Sequence, residues 1–192
     1  MPDTGMKSPT SCDSIMDGAW NDVAWTNPGN AVSLNATYAS SVGLANGECT
    51  HTLRCKGFDF SAIPDGSTIN GVTVRIWAMD VSAASCDLMQ LLDTGASRVG
   101  TNQCAAPVAV NTGAINDITK GGAADLWGNA LTRAWVQDAD FGVSVGFIAD
   151  ANDTEVYVDH VEMTIYYTEA SGRRGAVVSS RNPFACRTVT GG

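Results

Sequence analysis

The amino-acid sequence predicts an all-β fold: an antiparallel β-sandwich, jelly-roll-like, with extended N- and C-terminal arms. Three observations predict it. Gly accounts for 20 of 192 residues, and Thr, Ser, Asn and Asp gather between short apolar stretches, the pattern of brief strands separated by turns. Apolar residues recur at every second position through 71–79 and 141–149, the period of a strand with one face on a core. Helical periodicity is nowhere sustained, and LTRAWVQDADFG alone suggests one short helical turn. A hydrophobic content of 44% over this length supplies a core for one domain. The chain divides into an N-terminal lead at 1–19, a sandwich domain at 20–168 and a basic C-terminal arm at 169–192.

Along the chain, GFDFSAIPDGSTINGVTV reads as a strand, a turn and a second strand. Pro64 fixes φ and Gly66 supplies a permissive backbone for the turn. In Gly71–Met79, Val72, Val74, Ile76 and Ala78 share the face that belongs on a core, and Thr73, Arg75, Trp77 and Met79 share the other. Trp77 and Met79 are too apolar for a face left in water. Either they meet another subunit, or both faces of this strand are covered within the domain. A compact corner, DLWG, begins at Asp125. In Phe141–Ala149, Phe141, Val143, Val145 and Phe147 alternate with Gly142, Ser144 and Gly146, a small-residue face that another group can approach closely. The tight turn DANDT follows, where Asn152 and Asp153 tolerate positive φ. In the returning strand, Val156 and Val158 have one parity, and Val161, Met163, Ile165 and Tyr167 the other. A β-bulge near Asp159 and His160 reconciles them; burial on both faces is the alternative.

The six cysteines allow a geometric test. Cys86 and Cys104 are equidistant from Gly95. In a hairpin symmetric about DTGAS they face each other at about 4.5–5.5 Å between Cα atoms, which makes them the disulfide candidates. Cys49 and Cys55 lie roughly 20 Å apart on one continuous strand, so they pair only if the chain turns between them. Cys12 and Cys186 sit near the two ends, placed to staple the tail or link subunits. Buried free thiols are the alternative for all of them. The start of the chain lacks a basic segment followed by an apolar one, so no secretion signal is expected, which weakens a disulfide reading.

Charge narrows the partners. The net charge of −9 disfavours nucleic acid, whose phosphates need Lys and Arg. No apolar run reaches the roughly 18 residues of a membrane span. Residues 169–192 carry Arg173, Arg174, Arg181 and Arg187 against Glu169, a sum of +3, while residues 1–168 hold 7 basic and 19 acidic groups, or −12. A basic tail on an acidic body fits a tail lying on protein, its own or a neighbour's; a solvated tail is the alternative.

Catalytic chemistry is thin. The histidines are His51 and His160, no GxSxG elbow accompanies them, and Asp159 and His160 point to opposite faces of a regular strand. No catalytic residue is assigned. Cys49, His51 and Cys55 form C-x-H-x3-C without a second ligand pair, and DANDTE lacks the Gly-centred twelve-residue calcium loop. No metal site is therefore expected. No phosphate loop or dinucleotide fingerprint points to a cofactor. Asp138 and Asp140 read as a corner rather than a glycosidase pair. The tryptophans Trp20, Trp25, Trp77, Trp127 and Trp135 are of a type that stacks on sugars, but most fit a core or corner.

In combination, GFDFSAIPDGSTINGVTVRI, GGAADLWG, VQDADFGVSVGF and VYVDHVEMTIYYT resemble a β-sandwich domain recurrent in tailed-bacteriophage structural proteins, over about 57–168. The resemblance implies a non-enzymatic assembly or surface role on a virion, with other virion proteins, or copies of itself, as partners and release by lysis. A short chain of one sandwich plus arms suits a capsid decoration (cement) protein. Trp77, Met79, Arg173, Arg174, Arg181 and Arg187 are then the expected interface residues. The alternative is a tail- or fibre-associated module that recognises a host glycan or receptor.

Overall fold

Two antiparallel sheets face each other across the side chains that the period-two pattern supplies. A computed structural model describes residues 1–170; Arg173, Arg174, Arg181, Arg187 and Cys186 lie outside the described residues. The first sheet has the order β1 (Ser11–Ile15), β3 (Thr52–Lys56), β9 (Gly142–Ala149), β5 (Ala84–Leu92), β6 (Arg98–Val99), and β7 (Val108–Ala109) also pairs with β5. The second has the order β2 (Ala39–Leu44), β10 (Thr154–Thr168), β4 (Thr68–Val81), β8 (Asn116–Gly122). The described elements are thus those of an antiparallel sandwich.

The parity reading of the long strands holds residue by residue. Val72, Val74, Ile76 and Ala78 of β4 are fully buried, as are Val143, Val145 and Phe147 of β9. In β10 the register slips between Val158 and His160, so Val156 and Val158 before the slip and Val161, Met163 and Ile165 after it all enter the core. The bulge frees Asp159 from the ladder, and its carboxylate accepts from the N–H groups of Asn35 and Ala36 at 3.1 Å each. At the turn before β10, Asp153 takes φ 55°. The expected helical turn is α1 (Arg133–Val136), where the Thr132 hydroxyl accepts from Trp135 N–H.

Three expectations are corrected. The strand expected to open GFDFSAIP is absent: β3 ends at Lys56, Gly57 turns the chain with φ 73°, and Phe58 and Phe60 pack into the core outside any strand. The hairpin about Gly95 starts in the expected register, with Leu92 opposite Arg98, but Gly100 at φ 75° turns the chain out, and Val108 rather than Cys104 sits opposite Cys86. The bond that is present joins Cys12 to Cys55, which are direct cross-strand partners on β1 and β3. Cys12 therefore staples the lead to the body, and the pairing of Cys55 with Cys49 is excluded.

The N-terminal lead is extended but laid on the body. Asp3 and Lys7 bridge to Tyr166 and Met163 along β10, continuing the edge that β2 occupies further up, and the chain then crosses to the other sheet as β1.

Candidate functional site

The outer face of the four-stranded sheet collects the residues flagged as too apolar for water. Trp77 stands opposite His160 and Asp117, Met79 opposite Tyr157, and Val81 opposite Glu155. Val42 of β2 lies across Glu155 from Val81. Trp77 and Met79 are half-buried, whereas Val42 and Val81 are 48% and 44% exposed. Trp77 is held in place: the Arg75 guanidinium lies 4.9 Å over its ring, and its Nε1–H donates to Glu162 at 3.4 Å. Arg75 also pairs with Asp117 at 3.1 Å. Tyr157 meets Tyr38 edge-on at 5.8 Å and its hydroxyl bonds Glu155. This face is covered by charged stems on one side and left apolar on the other. Sequence parity places Trp77 and Met79 here but misses Val42 and Val81, because membership of one patch depends on which strands become neighbours.

The outer face of the six-stranded sheet is polar. One cross-strand row runs from Asp13 through Arg54 and Ser144 to Gln90. Asp17, in the turn after β1, accepts from Arg54 and Arg98 at 2.6 Å each, and Arg54 also donates to Ala96 C=O at 2.8 Å. Burial raises the Asp17 pKa, but the hydrogen bonds from Arg98 and Arg54 outweigh it and hold the carboxyl below its usual range. These groups line a polar cleft of about 420 Å³ beside the 95–98 turn. Beyond that turn a shallower depression of about 540 Å³ is lined by Asp93, Trp135 and Asp138, among others. Ser144 is fully buried on the floor of the row, and neither its hydroxyl nor the Arg54 Nε has a hydrogen-bond partner among the described residues. The small-residue face of β9 is used as expected: the Trp20 ring sits over Gly146, where a Cβ would lie 2.5 Å from it. Sequence reasoning misses the cleft, since Asp17, Arg54 and Arg98 share no local pattern.

The remaining tryptophans are structural. Trp127 is fully buried and donates to Val72 C=O at 3.0 Å, and Trp25 is buried against Phe147 while donating to His51 C=O at 2.8 Å.

The histidines pair with serines. Ser8 Oγ lies 2.9 Å from His160 Nε2, and Ser14 Oγ 3.4 Å from His51 Nδ1. The first pair comes nearest to a nucleophile–base arrangement. His160 Nδ1, however, stands 3.7 Å from Glu162, beyond hydrogen-bond reach, and has no partner among the described residues. Without an orienting acceptor the imidazole lacks the third member that fixes a triad. Burial also pulls His160 below the ordinary imidazole range, against the opposing charges of Glu162 and Asp159.

The C-x-H-x3-C set is dismantled because Cys55 is bonded to Cys12. The Cys49 thiol donates to Ala19 C=O at 2.8 Å. Among the described residues no three His, Cys, Asp or Glu side chains gather as ligands. DANDTE serves as a turn, with Asn152 Oδ1 accepting from Asn46 N–H at 3.0 Å. Cys86 and Cys104 are brought side by side as free thiols, with their sulfurs 3.3 Å apart. No helix among the described residues is long and apolar enough to cross a membrane.

No protein-family model and no curated protein matches the chain. Among solved structures it is similar to the one described as "CBM4 structure and function", at 14% identity and a TM-score of 0.41, over 83% of this chain and 93% of that one. It is likewise similar to the CBM22-1 xylan-binding domain from Paenibacillus barcinonensis Xyn10C, at 8% identity and a TM-score of 0.40, over 85% and 97%. At such values the likeness carries nothing about ligands.

Proposed function

We propose that the chain is a non-enzymatic structural protein of an assembled particle, a virion decoration protein in kind, which docks on neighbouring protein subunits through the outer face of its four-stranded sheet. The observation that carries this reading is the group formed by Trp77, Met79, Val81 and Val42 on the outer face of the four-stranded sheet, where Val42 and Val81 are 48% and 44% exposed and Trp77 and Met79 are half-buried beside the Arg75 stem. Trp77 and Met79 make one part of it aromatic and sulfur-bearing, Arg75 and Glu162 border that part, and Glu155 lies between Val81 and Val42, a mixture of apolar and polar groups of the kind protein contacts use. The sequence resemblance to phage structural sandwiches points the same way.

Sedimentation velocity over a wide concentration range tests it, with the wild-type chain beside Met79→Glu. The expected result is concentration-dependent self-association that the charge abolishes while the thermal midpoint stays within a few degrees. A wild-type chain that remains monomeric at millimolar concentration overturns docking between copies of this chain through that face.

A second reading, a module for small polar ligands such as glycans, is favoured by one specific observation: the cleft at Asp17, Arg54 and Arg98 beside the Trp135 depression. A glycan array checks it, with Arg98→Ala as the control.

A further inference from the structure

Cys86 and Cys104 meet at a place the fold has prepared. Cys86 is fully buried in β5 beside the register shift between Cys86 and Leu88, and Cys104 is 1% exposed in the turn that leaves the β5–β6 ladder. One side chain fixes that turn. Asn102 Oδ1 accepts from Met89 N–H at 2.9 Å and from Cys104 N–H at 3.0 Å, while its Nδ2 donates to Asp87 C=O at 2.7 Å. Cys104 is thereby held against β5 independently of any sulfur–sulfur bond, 3.3 Å from Cys86. A disulfide needs about 2.05 Å, so about 1.2 Å of approach closes the gap.

We propose that Cys86 and Cys104 are a dithiol–disulfide site that a small-molecule disulfide such as oxidised glutathione closes into a second intramolecular bond. Cys104 loses its proton and attacks the oxidant, and one glutathione thiolate leaves. The deprotonated Cys86 then attacks the Cys104 sulfur and expels the second. The two cysteines lose two protons and two electrons, and the oxidant becomes two thiols. Cys104 suits the first role: the Cys86 thiol donates to its sulfur and Lys120 lies nearby, which together lower its pKa, while the Cys86 pKa is raised by that same contact and by burial. Both sulfurs are buried, so exchange runs through opening of the turn or before the sandwich closes. The bond would tie β5 to a turn that already holds the DLWG corner, where Thr101 N–H donates to Trp127 C=O at 2.7 Å and Gln103 to Asp125 at 3.2 Å.

Peptide mapping tests the proposal. The full chain is refolded in glutathione buffers from reducing to oxidising, alkylated and digested with trypsin. Cleavage after Arg75, Arg98 and Lys120 places Cys86 in 76–98 and Cys104 in 99–120. Cleavage after Arg54 leaves Cys55 in a dipeptide that reports the Cys12–Cys55 bond, with Cys49→Ser confirming that link. The expected result is both links in oxidising buffer, the 76–98 to 99–120 link disappearing on reduction and in Cys104→Ser. If the Cys12–Cys55 link forms while both of the other peptides stay alkylated, or if Cys104 bridges a different cysteine, the proposal fails. Where refolding yields are low, the folded protein is incubated with diamide and digested in the same way, and the same two outcomes decide.

Discussion

Removing the bond between Cys12 and Cys55 is the sharpest perturbation of the fold. The two residues face each other on β1 and β3 and are separated by 43 positions, so the bond closes a long loop in the unfolded chain. In the chain-entropy treatment a loop of that length is worth about 4 kcal/mol at 25 °C. Among the described residues β1 is an edge strand paired with β3 alone, so strand pairing does little to replace the bond. The variant is Cys12→Ala with Cys55→Ala, which leaves no odd thiol behind. For a chain of this size about 4 kcal/mol corresponds to a fall of roughly 8–16 °C in the thermal midpoint. Scanning calorimetry of the wild type, the wild type in reductant and the double variant, with urea titrations alongside, measures it. Reduction and substitution should produce similar falls. A double variant within about 1 kcal/mol of the oxidised wild type would refute the reasoning, since the lead would then be held by its bridges to Tyr166 and Met163 and not by sulfur.

Single contacts elsewhere in the sandwich have consequences of their own. Trp127→Phe removes the donor that satisfies Val72 C=O and leaves a gap beneath Gly121, and should cost about 2–4 kcal/mol in a urea titration. The folded His160 pKa lies below its unfolded value because burial opposes the charged ring. The unfolded chain then binds the proton more readily, so the His160 contribution is present above pH about 6.5 and is lost as pH falls through the folded pKa. His160→Gln should flatten the fall in thermal midpoint below that pH; an unchanged profile counts against the assignment. Gly146→Ala should push the Trp20 ring off the six-stranded sheet, seen as a red-shifted tryptophan emission with the core strands intact by far-UV dichroism.

Much of the fold was legible because alternation reports burial directly. The core faces of β4 and β9 follow from parity, whereas in β10 the two runs of opposite parity fitted either a bulge or a strand buried on both faces, and the register shift between Val158 and His160 decides for the bulge. The pairing of Cys12 with Cys55 was not legible. It depends on the lead running along β10 and then crossing to the other sheet, and no local pattern encodes that path. Cys86 and Cys104 are intermediate: the symmetric hairpin register brings them close, but the positive φ at Gly100 changes which residue occupies the ladder. On the outer faces, Trp77 and Met79 were readable as misfits with water, while Asp17, Arg54 and Arg98 meet only because three separate segments converge.

The two outer faces differ enough in chemistry to be tested apart. The apolar face should respond to a charge placed within it and hardly at all to salt, because its attraction comes from apolar area. The Arg54–Asp17–Arg98 cleft should respond in the opposite way. Its guanidinium edges are partly exposed, so any anionic partner bound there is weakened by salt, and a charge at Met79, on the other sheet, leaves it unaffected. An assembly that survives high salt but is lost in Met79→Glu is held by the four-stranded sheet. One that dissolves in salt and tolerates Met79→Glu is held elsewhere, at the cleft or through the basic residues of 169–192 acting on the acidic body. Salt dependence measured on these two proteins therefore decides which surface does the binding before any partner is known.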